Sequence, residues 1–212
     1  MTIKLYCFGE SGNSYKAALP LELSGLDWAP VKLDFFNGAA RSPEYTEMNI
    51  MAEAPVMVDG PTLLSQSGAI QMYISDKSGK FGGATREETL QVMRWCFWDN
   101  HKMSSVCGTL RFLMNFLPEE KRPREVIDFT AARLKAAFRT LDQALEGRDW
   151  LVGKGPTNAD FSCCGYLFYP EPFTFDRADW PNIDRWLSNI QGLPGWKHPY
   201  DLMPGRPSDR GM

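Results

Sequence analysis

Few residues in this chain could do chemistry, and most of them fall in two polar clusters. The first is Ser11-Gly12-Asn13-Ser14, and the second is Gln66-Ser67-Gly68. Each offers hydroxyl and amide donors where a helix is about to begin. A helix N-terminus, with unpaired amides and the positive end of the dipole, receives an anion well. Taken by themselves, serine and asparagine at such points are also the residues of turns and caps. Other reactive types are sparse. With only two histidines, His101 and His198, and no HExxH, the chain cannot build a three-imidazole centre, and no metal is expected. The five cysteines are odd in number and contain no CxxC pair, and Cys163 and Cys164 are neighbours. They read as small apolar residues of a core in a reducing compartment. Gly153-Lys154-Gly155 lacks the spacing of a phosphate-binding loop and the hydroxyl residue after its lysine, so a nucleotide role has no support.

Composition narrows the field further. The chain has 212 residues, 43% hydrophobic and 23% charged, which is enough to bury a core without disulfides or a structural metal. Its net charge is −3, so neither nucleic acid nor an anionic membrane surface is an expected partner. No apolar run approaches the ~20 residues of a membrane span, and the N-terminus has no apolar stretch of signal-peptide length. A cytoplasmic location is expected.

The elements that must position the two clusters can be read from pattern. Ile3–Phe8 is a short apolar run with β-branched and aromatic members, a buried strand. Tyr15–Leu26 has helical apolar spacing, with a kink expected at Pro20. Pro30–Phe36 reads as a second strand. Pro43–Met48 reads as a short helix capped by Ser42. Val56–Asp59 and Thr62–Ser65 form a hairpin around Gly60-Pro61, and Ser67–Lys77 is the next helix. This order, βαβ then ββα, predicts one four-stranded mixed sheet. Residues 78–84 are glycine-rich and polar, the composition of a linker. Beyond them the signal is helical throughout. Thr85 and Glu88 make a capping-box pattern before a long helix running toward Leu117. Pro123 to Leu145 repeats apolar residues at helical spacing, with Gly147 as its cap. Thr157 and Asp160 form a second box, heading an apolar run to Tyr169 that should lie at a domain centre. A final helix covers Ile183–Gln191.

At this point the sequence resembles the glutathione transferase family. Ala54-Pro55-Val56 before the hairpin, Gln66–Ile70 opening a helix, Thr157–Asp160 heading a buried helix, and the tail Leu193–Gly205 carry the resemblance, in order and over almost the whole chain. It implies an α/β thioredoxin-like N-terminal domain, residues 1–78, a linker, 79–84, and an all-α C-terminal domain, 85–212. It also implies a homodimer and glutathione as co-substrate. On this resemblance, Ser67 and Gln66 hold the γ-glutamyl carboxylate, Pro55 is a cis proline, and the backbone of Ala54 pairs with the cysteinyl unit like an added strand. Ser11 stands where serine-type members place a hydroxyl, and Asn13 where some bacterial and fungal members place an asparagine amide. Ser14 is the competitor. Ser11, leaving the loop before the helix begins, is expected to face the thiol, and Ser14 to cap a backbone amide.

Two features depart from the family pattern. Glu53 stands where Lys or Gln often contacts the glycine end, the wrong charge for a carboxylate, with Arg41 as the compensating candidate. Pro20 interrupts a helix that is usually continuous. The second substrate, a small hydrophobic electrophile, would sit between the domains, among Phe8, Gly9, Glu10, Asn100, His101 and Ser104. The reading that follows is a transferase adding the glutathione thiolate to that electrophile. The alternative is a non-catalytic binding or scaffold protein that keeps the fold. A glutaredoxin-type reductase would lack its nucleophile, because Ser11 and Ser14 stand where CxxC would be.

Overall fold

The apolar run at the N-terminus becomes β1 (Ile3–Cys7), and pattern alone explains its place. Ile3, Leu5 and Cys7 are buried on one face, while Tyr6 points to the other. The computed structural model describes residues 1–210 and divides the chain into two units. The first unit comprises Met1–Gly82 and the stretch from Pro194 onward; the second is Gly83–Leu193.

In the first unit the expected four-stranded mixed sheet is present among the described residues, in the order β2-β1-β3-β4. β1 is followed by α1 (Gly12–Ser24), β2 (Trp28–Lys32), α2 (Pro43–Met48), β3 (Val56–Asp59), β4 (Thr62–Ser65) and α3 (Ser67–Ser78). β2 runs parallel to β1, and β3 antiparallel to it. Strand β2 starts and ends earlier than the apolar run Pro30–Phe36 suggests. Its partner supplies the reason: β1 ends at Cys7, opposite Lys32, and the last ladder bond runs from Leu33 N–H to the Cys7 carbonyl at 2.9 Å. The chain then turns through Phe35–Asn37, where Asn37 Nδ2 donates to Asp34 Oδ2 and Gly38 closes the turn at φ 84°. Pro30 is accommodated because β2 is an edge strand. Behind Tyr6, a cluster of Leu33, Ala40, Tyr45 and Val56 covers that face.

Helix α1 runs on through Pro20 without ending there, and the structure shows what replaces the missing bond. Proline has no N–H, so the Lys16 carbonyl four residues back loses its helical donor. Gln71 Nε2, from the fully buried face of α3, donates to that carbonyl at 3.0 Å. The proline thus ties the two helices that flank the sheet.

The second unit is helical: α4 (Arg86–Asp99), α5 (Ser105–Asn115), α6 (Arg124–Ala144), α7 (Asn158–Cys163) and α8 (Pro181–Gln191). The single long helix expected from Thr85 is broken in register by a π-helical stretch, Asn100–Ser104. Asn100 N–H reaches both the Cys96 and Phe97 carbonyls, and Ser104 Oγ donates to Asp99 Oδ1 at 2.8 Å across the wide turn. The box at Thr85 forms, although the Glu88 carboxylate reaches Ala84 N–H (2.7 Å) rather than Thr85's own. Gly147 lies two residues beyond the cap that actually ends α6, Leu145. Helix α7 is shorter than its apolar run, because beyond Cys163 the bonds tighten: Gly165 N–H to Ser162 O and Leu167 N–H to Cys164 O. The run is nevertheless buried to Tyr169.

Asp160 anchors this unit. Its carboxylate accepts from Thr157 N–H (2.8 Å), Thr157 Oγ1 (3.0 Å), Leu151 N–H (2.9 Å) and Trp186 Nε1 (2.9 Å). Complete burial pushes the carboxyl above its ordinary value, while these donors pull the other way.

The last α-helix, α9 (Pro199–Leu202), belongs to the first unit rather than to the helical one where the sequence had placed the tail. Tyr15 Oη donates to the Lys197 carbonyl at 2.9 Å, and Gly9 N–H to the Pro204 carbonyl at 2.7 Å. A Cβ on Gly9 would stand 2.0 Å from the Gly205 oxygen, so only glycine fits there.

Two stability measurements follow. Gln71→Leu should cost about 1–3 kcal/mol, the penalty for stranding a buried carbonyl. Pro20→Ala should recover much of that loss in the Gln71→Leu background, by restoring the helical N–H, and recover less in the wild type. Equal effects of Pro20→Ala in both backgrounds would show that the Gln71 bond does not compensate the proline. Asp160→Ala leaves four buried donors without an acceptor. It should cost at least about 3 kcal/mol, a fall in Tm of roughly 6–12 °C; an unchanged Tm would remove Asp160 from the list of anchors.

Candidate functional site

Strand register gathers both polar clusters at one end of the sheet. β1 reaches that end at Cys7, β3 begins there with Val56 opposite Tyr6, and β4 finishes there with Ser65 opposite Val56. Three chain turns therefore meet: Phe8–Ser11 leading into α1, Ala54–Pro55 leading into β3, and Gln66 leading into α3. The Ala54–Pro55 peptide bond is cis, as expected.

At the first turn the cap falls on Ser11 and not, as expected, on Ser14. Ser11 is the N-cap of α1, with its Oγ accepting from Ser14 N–H at 3.1 Å. Ser14 sits one turn in, wholly buried, and its hydroxyl has no hydrogen-bond partner among the described residues. The reason is where the helix starts. Gly12 already has helical geometry, so the cap falls on the residue before it and Ser14 becomes an interior position. Capping does not consume Ser11: a hydroxyl that accepts one bond still has its own proton to donate. Asn13 is half-buried in the first helical turn, and the N–H groups of Gly12 and Asn13 meet no acceptor among the described residues.

At the second cluster, Ser67 is the first residue of α3 and buried, while Gln66 is the cap residue. Gln66 holds φ 69°, a left-handed value uncommon outside glycine and characteristic of functional sites. Its side chain does not cap the helix. Gln66 Nε2 donates instead to Glu53 Oε2 (3.0 Å) and Met51 Sδ (3.1 Å). The N–H groups of Ser67, Gly68 and Ala69 meet no acceptor among the described residues. Arg41, exposed at the end of the short turn before α2, has no ion pair among the described residues.

Phe8, half-buried after β1, stacks on Phe35 with ring centroids 4.7 Å apart and meets Phe36 edge-on at 5.8 Å. These rings, with Glu10, Lys32 and Arg206, line a cavity of about 400 Å³ in the first unit. Sequence reasoning missed Phe35 and Phe36 by assigning them to a strand; Asn37-Gly38, a turn signal, was the available clue. Gly9 and Glu10 are buried, Gly9 against the tail. In the helical unit, Asn100 and His101 are exposed on the π-helical stretch, whereas Ser104 is buried and committed to Asp99. Cys7 is fully buried, and its thiol is pushed up to about 12, far from a nucleophile's range. Among the described residues no cluster of three or more His, Cys, Asp or Glu could hold a metal, and no helix is long and apolar enough to cross a membrane.

The position of the cap makes a direct prediction. Ser11→Ala removes the cap and should cost about 1 kcal/mol. Ser14→Ala removes an unsatisfied buried hydroxyl and should raise stability by roughly 1 kcal/mol. Thermal melts of the two variants should move in opposite directions, and a loss on Ser14→Ala as large as on Ser11→Ala would mean that Ser14 is hydrogen-bonded after all.

Comparison with known proteins agrees with this architecture. The family model for the glutathione S-transferase N-terminal domain matches residues 1–76, and that for the C-terminal domain matches residues 108–194. The disulfide-bond oxidoreductase YfcG of Escherichia coli (strain K12) is 26% identical over 199 residues, covering 91% of each chain. A glutathione S-transferase structure from Pseudomonas fluorescens is similar with a TM-score of 0.88 at 26% identity, covering 95% of this chain and all of that one. A glutathione transferase from Burkholderia graminis, solved with two glutathione molecules bound per subunit, is similar with a TM-score of 0.83 at 26% identity, covering 92% of this chain and 85% of that one. A thioredoxin-like sheet unit followed by a helical unit, each matched by its own model, places the chain in the glutathione S-transferase family.

Proposed function

We propose that this chain binds glutathione and adds its thiolate to a small hydrophobic electrophile. One observation carries the reading: register brings two helix starts with unpaired N–H groups to the same sheet end as the cis Ala54–Pro55 bond. Glutathione has a carboxylate at the γ-glutamyl end and a thiol in its middle. The α3 start takes the carboxylate on the N–H groups of Ser67 to Ala69, with the Ser67 hydroxyl beside them and Gln66 adjoining. The Ala54 backbone pairs with the cysteinyl amides. Arg41 is the cation for the glycine carboxylate. The thiol then falls to the α1 start, where Ser11 Oγ–H and Asn13 donate to it. A free thiol has a pKa near ~8.5, and lowering it by two units requires about 2.7 kcal/mol in favour of the thiolate. A hydrogen bond to an anion contributes ~1.5–3 kcal/mol, so one hydroxyl and one amide or helix-terminal N–H suffice.

The aromatic wall of Phe8, beside Gly9 and Glu10, faces the electrophile in this reading. The homodimer and the cytoplasmic location that the family resemblance implies belong to the same reading. The name of the Escherichia coli relative favours a second one, thiol–disulfide exchange. The glutathione thiolate would attack one sulfur of a disulfide and expel the other as a thiolate. Glutathione would supply the attacking sulfur in this reading, because Cys7, the cysteine at this end of the sheet, is buried with its thiol pushed up to about 12. Rates of conjugation to an aromatic halide and of reduction of a small disulfide separate the two. Glutathione binding with neither activity would favour the scaffold alternative.

The thiolate assignment is tested by titrating bound glutathione. Ser11→Ala should raise its thiol pKa by about 1–2 units, read from thiolate absorbance against pH. The rate loss should be greatest below the wild-type pKa and should vanish above that of the variant, where the thiol ionises unaided. Ser14→Ala should leave the titration where it was. If neither substitution moves it, the donors to the thiolate lie elsewhere.

A further inference from the structure

Glu53 carries an unbalanced charge beside the α3 start, and its backbone is held firmly in place. Its carbonyl accepts from two side chains, Tyr45 Oη and Asn49 Nδ2, both at 2.8 Å, and both of these residues are only 4% exposed. Residue 53 is thus fixed immediately before the cis Ala54–Pro55 bond. Its carboxylate is exposed, and its one hydrogen-bond partner among the described residues is the neutral amide of Gln66, the cap residue of α3. No cation pairs with it among the described residues.

A bare carboxylate here would repel a ligand that brought only negative charge to α3. The γ-glutamyl end of glutathione brings both signs, because its α-ammonium is bonded to the same carbon as its α-carboxylate. With the carboxylate on the N–H groups of Ser67 to Ala69, the ammonium needs an acceptor within a short reach. We propose that the Glu53 carboxylate receives the α-ammonium of the γ-glutamyl group, with Gln66 holding that carboxylate in place. This rests on the glutathione reading above. It gives Glu53 a task at the opposite end of the ligand from the glycine carboxylate, for which its charge was unsuited. It also makes the site selective for a free α-amine, since an analogue without the ammonium would leave Glu53 facing a carboxylate alone.

Calorimetric titration of the full chain with glutathione and with its des-amino analogue, glutaryl-cysteinylglycine, tests this. The wild type should bind glutathione about tenfold more tightly than the analogue, the ratio expected for one charge-assisted contact. Glu53→Gln should lose about tenfold for glutathione and nothing for the analogue, erasing the preference, while Glu53→Asp should keep part of it. Unaltered melting temperatures would confirm that the variants are folded. Persistence of the preference in Glu53→Gln, its absence from the wild type, or an equal loss for both ligands would overturn the assignment. Failure of the wild type to bind either ligand would instead overturn the glutathione reading, and this inference with it.

Discussion

A helix leaves its first few amide hydrogens with nothing inside the helix to bind, and the first unit of this chain assembles around that deficit. Two helices, α1 and α3, start at the same end of one sheet because β1 and β4 both finish there. One deficit is met in part by Ser11, while the first three amides of α3 meet no acceptor among the described residues. Open amides in a folded protein are costly unless water or a ligand meets them, and a ligand with anionic groups is the natural complement. Gln66 is held in a left-handed backbone conformation at this point. Its side chain turns away from the helix toward Glu53, so the α3 start is not closed by its own cap residue.

An anion site of this kind works only if the helices that make it cannot shift. Here the two are joined by an unusual device. Pro20 removes a bond from the middle of α1, and Gln71 of α3 supplies the replacement. What looks like a helix breaker in the sequence is a cross-link in the fold. The second unit has its own fixed point in Asp160, whose oxygens collect donors from the box at Thr157, from Leu151 and from Trp186.

Much of this was legible in the residues themselves. The hairpin was, because two short apolar runs flank Gly60-Pro61, and so was the start of α3, because a polar pair precedes a helical pattern. The capping boxes were legible because their spacing is local. What escaped was set at a distance. The end of β2 depends on the length of β1, not on its own apolar run. The compensation of Pro20 comes from Gln71, 55 positions beyond the Lys16 carbonyl that it serves. The π-helical stretch is a shift in bonding with no composition signature. The cap was misplaced on Ser14 because it moves with the first helical residue, and a loop of glycine and serine does not say which residue that is. Within the site, the pairing of Glu53 with Gln66 was hidden because it joins two loops separated by the whole hairpin.

The tail has a consequence for the order in which the protein can be completed. A chain emerges from the ribosome N-terminus first, and a domain usually folds once its own residues are out. Here the first unit is interrupted by the entire second one. The hydroxyl of Tyr15 waits for the carbonyl of Lys197, the amide of Gly9 for that of Pro204, and buried Leu202 and Met203 arrive only after the second unit has been made. During synthesis the loop that carries Ser11 therefore lacks its clasp until the whole second unit has been made. The half that is translated first is the half that is finished last.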